Sequence, residues 1–99
     1  MTQFSEETRA KIVELCERHR VRELSLFGSR SRGDNRPDSD FDLLVEFLPD
    51  AGIGLIEYSR MQIDLSEILE TKVVLVTKKG LKDYVRDNVL ADATPIYEA

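Results

Sequence analysis

The sequence contains a single cysteine, Cys16, which excludes an internal disulfide and any cysteine-cluster metal site. It also has little basic charge. Lys and Arg together number 14 against 19 Asp and Glu, a formal net charge of -5. That balance argues against a broad nucleic-acid face, which needs a basic stripe, so nucleic acid is not expected as a direct ligand. Acidic residues gathered in one place can instead bind a divalent cation, which then attracts phosphate. No apolar run approaches the ~18–20 residues of a membrane span. No basic-then-apolar leader opens the chain, so a cytoplasmic protein is expected. The 99 residues are 41% hydrophobic and 33% charged, as in a soluble globular domain. They suit one domain over 1–99, small enough that a partner surface would help stabilise it.

Ser5 reads as a helix N-cap, with Glu6 and Glu7 favourably placed in the first turn. Ile12, Leu15, Cys16 and His19 follow at helical spacing, predicting a helix over roughly 5–19 with Cys16 in the core. His19, the one histidine, ends that helix and is read as a dipole partner rather than a catalyst. Residues 23–27 alternate as a short strand that Gly28 stops, and 29–39 read as turn and loop. A nearly apolar strand is expected over 41–47 and a long helix over about 55–70, in which Tyr58 and Met61 have core spacing. A β-branched buried strand covers 72–76. Lys78, Lys79 and Lys82 then read as a solvated face. Leu81, Tyr84, Val85 and Val89 give a last amphipathic helix, with Tyr84 also at core spacing, and Pro95 to Ala99 an extended tail. The order α-β-β-α-β-α predicts an α/β domain with one small sheet.

The chemistry lies in Phe27-Gly28-Ser29-Arg30-Ser31-Arg32-Gly33 and Pro37-Asp38-Ser39-Asp40-Phe41-Asp42-Leu43-Leu44-Val45. Gly28 after a strand permits a tight turn whose N–H groups can face an anion. Ser29 adds a hydroxyl, and Arg30 and Arg32 can make charge-assisted bonds to phosphate. Asp40 and Asp42, two residues apart on a strand, project from one face. Taken singly, these pieces have ordinary readings: a turn, a cap, surface arginines. Together they favour a site. A carboxylate within an apolar strand is costly unless something compensates it, and Mg²⁺ shared with a substrate's phosphates suits two hard oxygen ligands.

The segment resembles the Gly-Ser-x10-Asp-x-Asp signature of the polymerase-β-like nucleotidyltransferase superfamily, running from Gly28-Ser29 to Asp40 and Asp42. The flanking residues resemble its minimal nucleotidyltransferase (MNT, MntA-like) branch over nearly the whole chain. That resemblance implies a small mixed sheet flanked by helices. It also implies an antitoxin that uses ATP and Mg²⁺ to AMPylate a tyrosine of a HEPN-type toxin. Gly28, Ser29, Arg30 and Arg32 would bind the nucleotide; Asp40 and Asp42 would be catalytic and bind metal. The chain departs from the pattern at the family's third carboxylate, where Val74 stands within Lys72-Val73-Val74-Leu75-Val76-Thr77. Either Glu46 or Asp64 substitutes and activity is slow or rearranged, or the protein neutralises its toxin by binding alone. A transferase acting on a small molecule or RNA is the weaker alternative, because such relatives carry a further substrate-binding domain. An acceptor site supplied by a partner or a second copy, and hence a hetero- or homo-oligomer, is expected.

Overall fold

The computed structural model describes residues 4–33, 36 and 40–99. Pro37, Asp38 and Ser39 of the motif lie outside the described residues, as do the side chains of Ser29, Arg30 and Val85.

Helix α1 (Glu6–Arg18) starts where the sequence predicts: the Ser5 side chain accepts a hydrogen bond from the Thr8 amide at 3.1 Å. Strand β1 (Val21–Phe27) begins two residues earlier than the alternation suggested, after Arg20 adopts a left-handed φ of 56°. Gly28 is followed by a four-residue helix α2 (Ser29–Arg32), where the sequence indicated only turn and loop. Strand β2 (Phe41–Phe47), helix α3 (Leu55–Leu69) and strand β3 (Val73–Thr77) follow, close to their expected bounds. A 3-10 turn (Lys78–Gly80) leads to α4 (Asp83–Asp92) and β4 (Thr94–Glu98).

The four strands form one mixed sheet in the order β3-β2-β1-β4. β2 runs antiparallel to β1 and parallel to β3, and β4 is antiparallel to β1. The C-terminal segment is therefore not a tail. Its Ile96 enters the core, so β4 is held by burial as well as by its ladder. Helices α1 and α3 cover one face of the sheet, where Ile12, Leu15, Cys16, Met61 and Leu65 meet Leu24, Leu26, Leu43, Val45, Val73 and Leu75. The intervening β2 residues Asp42, Leu44 and Glu46 point to the opposite face. Tyr84 does not belong to the core. It is 77% exposed, and none of α4's described residues is fully buried.

The open side of β3 is closed by α3 (Leu55–Leu69). Tyr58 donates its hydroxyl to the Leu75 carbonyl, Gln62 Oε1 accepts from the Leu75 amide at 3.4 Å, and Ser66 Oγ accepts from the Val73 amide at 3.2 Å. These three residues are four apart, one per helical turn, and satisfy groups that would otherwise recruit another strand. This holds the β2–β3 pair, and with it Asp42 and Val74, against a fixed helix.

Candidate active site

Gly28 ends β1 with φ +77°, a conformation that L side chains rarely adopt. Its carbonyl accepts from the amides of Ser31 and Arg32, both at 3.1 Å, so α2 is nucleated on it. There is a second reason for glycine. A Cβ at this position would lie 2.4 Å from Asp42 Oδ2. The Asp42 carboxylate thus lies directly against the Gly28 turn, and only the missing side chain permits the approach.

Asp42 stands opposite Phe27 on β1 and beside Val74 on β3. Asp40 immediately precedes β2 and, like Asp42, is half-buried. Burial is the main influence raising the Asp42 carboxyl above the ordinary Asp value; the charge of Asp40 raises it further, and Arg32 opposes both. The two carboxylates therefore feel one another, and the residues present fit a divalent cation through hard oxygen donors.

The structure brings Gly28, Arg32, Asp40 and Asp42 together. It gives Arg32 a partner that the sequence did not suggest: Nη1 lies 2.7 Å from Asp92 Oδ2 at the end of α4. Ser31 donates its hydroxyl to the Asp92 carbonyl and lies 2.8 Å from Thr94 Oγ1. The signal for Asp92 was present but local: a carboxylate in the last turn of a helix opposes the helix dipole and calls for a cation.

Neither carboxylate considered as a substitute at the Val74 position can serve there. Asp64 lies in the groove between α1 and α3 with Lys11, Glu14 and Arg18, on the other face of the sheet. Glu46 shares the face of Asp42 but lies four residues along β2, about 13 Å away. It is also engaged with Lys78 Nζ at 3.7 Å. Among the described residues, no group of three or more His, Cys, Asp or Glu is placed to hold a metal ion. His19 is buried and its Nδ1 lies 2.8 Å from Glu57 Oε2, joining α1 to α3 well away from this site. Cys16 is buried, with its thiol pushed up to about 12, chiefly by desolvation. No described helix is long and apolar enough to cross a membrane.

Comparison with known proteins shows the family and the fold. The protein adenylyltransferase MntA of Thermococcus cleftensis is 38% identical over 81 residues, covering 80% of this chain and 78% of the relative. A solved structure provisionally described as a minimal nucleotidyltransferase superposes with a TM-score of 0.76 at 35% identity, over 96% of this chain and 99% of that one. The fold is also shared with a chain of the complex between tri-AMPylated Shewanella oneidensis HEPN toxin and its MNT antitoxin. There the TM-score is 0.69 at 19% identity, over 95% of this chain and 72% of that one. The family model for the nucleotidyltransferase domain matches residues 9–96, and the chain belongs to that family.

Proposed function

We propose that this chain is a nucleotidyltransferase-type antitoxin that binds ATP with Mg²⁺ and transfers AMP to a tyrosine of a HEPN-type toxin, releasing pyrophosphate. The observation that carries this reading is the Asp42 carboxylate seated on the Gly28 turn, next to Asp40 and within the field of Arg32. The naming of the Thermococcus cleftensis relative as a protein adenylyltransferase supports it. So does the fold shared with the toxin–antitoxin complex that contains an AMPylated HEPN toxin.

The chain's own residues divide the work. The Gly28 turn, Ser29, Arg30 and Arg32 receive the nucleotide's phosphates. Asp40 and Asp42 would hold Mg²⁺, which when bound neutralises phosphate charge as a Lewis acid. The acceptor tyrosine comes from the partner. Incubation with labelled ATP, Mg²⁺ and the toxin encoded beside it should label the toxin, and Asp40→Ala with Asp42→Ala should abolish labelling. An unlabelled toxin at high antitoxin concentration would rule out the transferase.

Val74 favours a second reading, in which the protein neutralises its toxin by forming a complex and transfers AMP slowly or not at all. The apolar residue beside Asp42, with Glu46 and Asp64 placed elsewhere, supports it. The two readings separate on one variant pair. Loss of neutralisation in Asp40→Ala with Asp42→Ala, with the complex intact, would refute neutralisation by binding alone.

A further inference from the structure

Helix α2 is fixed on two sides. Toward the sheet, the amides of Ser31 and Arg32 donate to the Gly28 carbonyl, and the Asp42 carboxylate lies against Gly28. Toward the C-terminus, the Ser31 hydroxyl donates to the Asp92 carbonyl and meets Thr94 Oγ1, while Arg32 Nη1 meets Asp92 Oδ2 at 2.7 Å. The candidate site is thus coupled to the α4–β4 junction through two adjacent residues, and both connections converge on Asp92.

Asp92 stands where its own helix disfavours it. It is the last residue of α4, and there is no basic residue in that turn. A carboxylate there meets the negative end of the helix dipole. Arg32 compensates it from another element. The side chains of Arg32 and Asp92 are 47% and 30% exposed, and ion pairs this open to water contribute little to stability. Orientation is the larger consequence. A guanidinium is a rigid planar fork of donors, so a carboxylate bonded at Nη1 restricts the orientation of the whole group.

We propose that Asp92 is a positioning residue for the nucleotide site: by accepting from Arg32 Nη1, it restricts the orientation in which the guanidinium meets the phosphates of a nucleotide on the Gly28 turn. This rests on the nucleotide-binding reading above. Asp92 touches no nucleotide itself; it acts through Arg32.

The test is calorimetric titration of the full chain with Mg²⁺ and ATP, together with thermal melting of the nucleotide-free protein. Asp92→Asn should weaken binding about tenfold, as expected for a lost charge-assisted bond, with little change in melting temperature. Asp92→Glu should restore affinity to within about threefold of wild type. The double variant Arg32→Gln with Asp92→Asn should bind no more weakly than Arg32→Gln alone, because the second change acts through a side chain already gone. Wild-type affinity in Asp92→Asn, or losses that add in the double variant, would overturn the proposal while leaving the nucleotide reading intact. A wild-type chain that does not bind Mg²⁺ and ATP would overturn both. A readout that needs no variant is the ¹⁵N signal of the Arg32 guanidinium, which should shift on saturation with Mg²⁺ and ATP; an unmoved signal also overturns the proposal.

Discussion

Val74→Asp is the most informative single change. Val74 is the direct parallel-strand partner of Asp42, so the two Cα atoms are about 4.8 Å apart. Both side chains leave the same face of the sheet. A new carboxylate at 74 would stand about 5 Å from that of Asp42, with Asp40 nearby. At an effective dielectric of about 20–40 this repulsion amounts to roughly 2–3 kcal/mol. Loss of the half-buried valine adds about 0.5–1 kcal/mol. In chelator the variant should therefore melt roughly 10–30 °C below wild type, at about 4–8 °C per kcal/mol for a domain this size. Millimolar Mg²⁺ should recover much of the loss, because a cation binding the folded state alone stabilises it by mass action. The assay is a paired melt, wild type and variant, each in chelator and in Mg²⁺. The predicted signature is a larger Mg²⁺-dependent rise in the variant. AMP transfer to the toxin should rise by about 10²–10⁴, the usual worth of a well-placed charged catalytic group. A variant whose melting temperature ignores Mg²⁺ would refute the reasoning, because position 74 would then not face a cation site.

Other perturbations test the surrounding structure. The Asp42 carboxyl is raised above its unfolded value, so the fold favours its protonated form. Its contribution to stability is therefore fullest below the unfolded value and is lost as pH climbs through the unfolded and then the folded value. Asp42→Asn should raise the melting temperature at pH 7 and leave it unchanged near pH 3, as scanning calorimetry would show; a drop at pH 7 would contradict this. Gly28→Ala meets both a φ of +77° and the Asp42 carboxylate at 2.4 Å from the new Cβ. It should cost at least 1–2 kcal/mol in denaturant titrations, roughly the left-handed penalty alone, and should weaken binding of Mg²⁺ and ATP. Glu57→Ala would leave His19 Nδ1 unpaired beside a buried Nε2 that already lacks a partner among the described residues. That should cost about 1–3 kcal/mol, against no change if the pair is incidental. Cys16, buried and with its thiol pushed up to about 12, should resist alkylation at pH 8 until the chain unfolds; prompt labelling would place it elsewhere.

The sequence by itself determined the local elements and marked the two halves of the candidate site. The helical spacing of Ile12, Leu15 and Cys16 and the apolar run around Asp42 are local patterns, and each element formed where its pattern lay. Gly28 with Ser29, separated from Asp40 by ten residues, was legible because a turn and a same-face carboxylate pair are set by neighbouring residues. The partnership between distant segments was not legible. Residues 95–99 carry little pattern of their own, and only pairing with β1 and burial of Ile96 make them a strand. Tyr84 has helical spacing, but periodicity cannot say whether a helix face is covered. Arg32 was recognisable as a cation beside the candidate phosphate turn, yet its hold on Asp92 depends on α4 returning to α2, sixty residues later in the chain. The sequence likewise showed Val74 in place of an acid, while the tertiary structure decided the consequence: Glu46 lies too far along the strand and Asp64 on the opposite face of the sheet. Short-range geometry is written in residue spacing; which side chains meet across the sheet is settled only when the core packs.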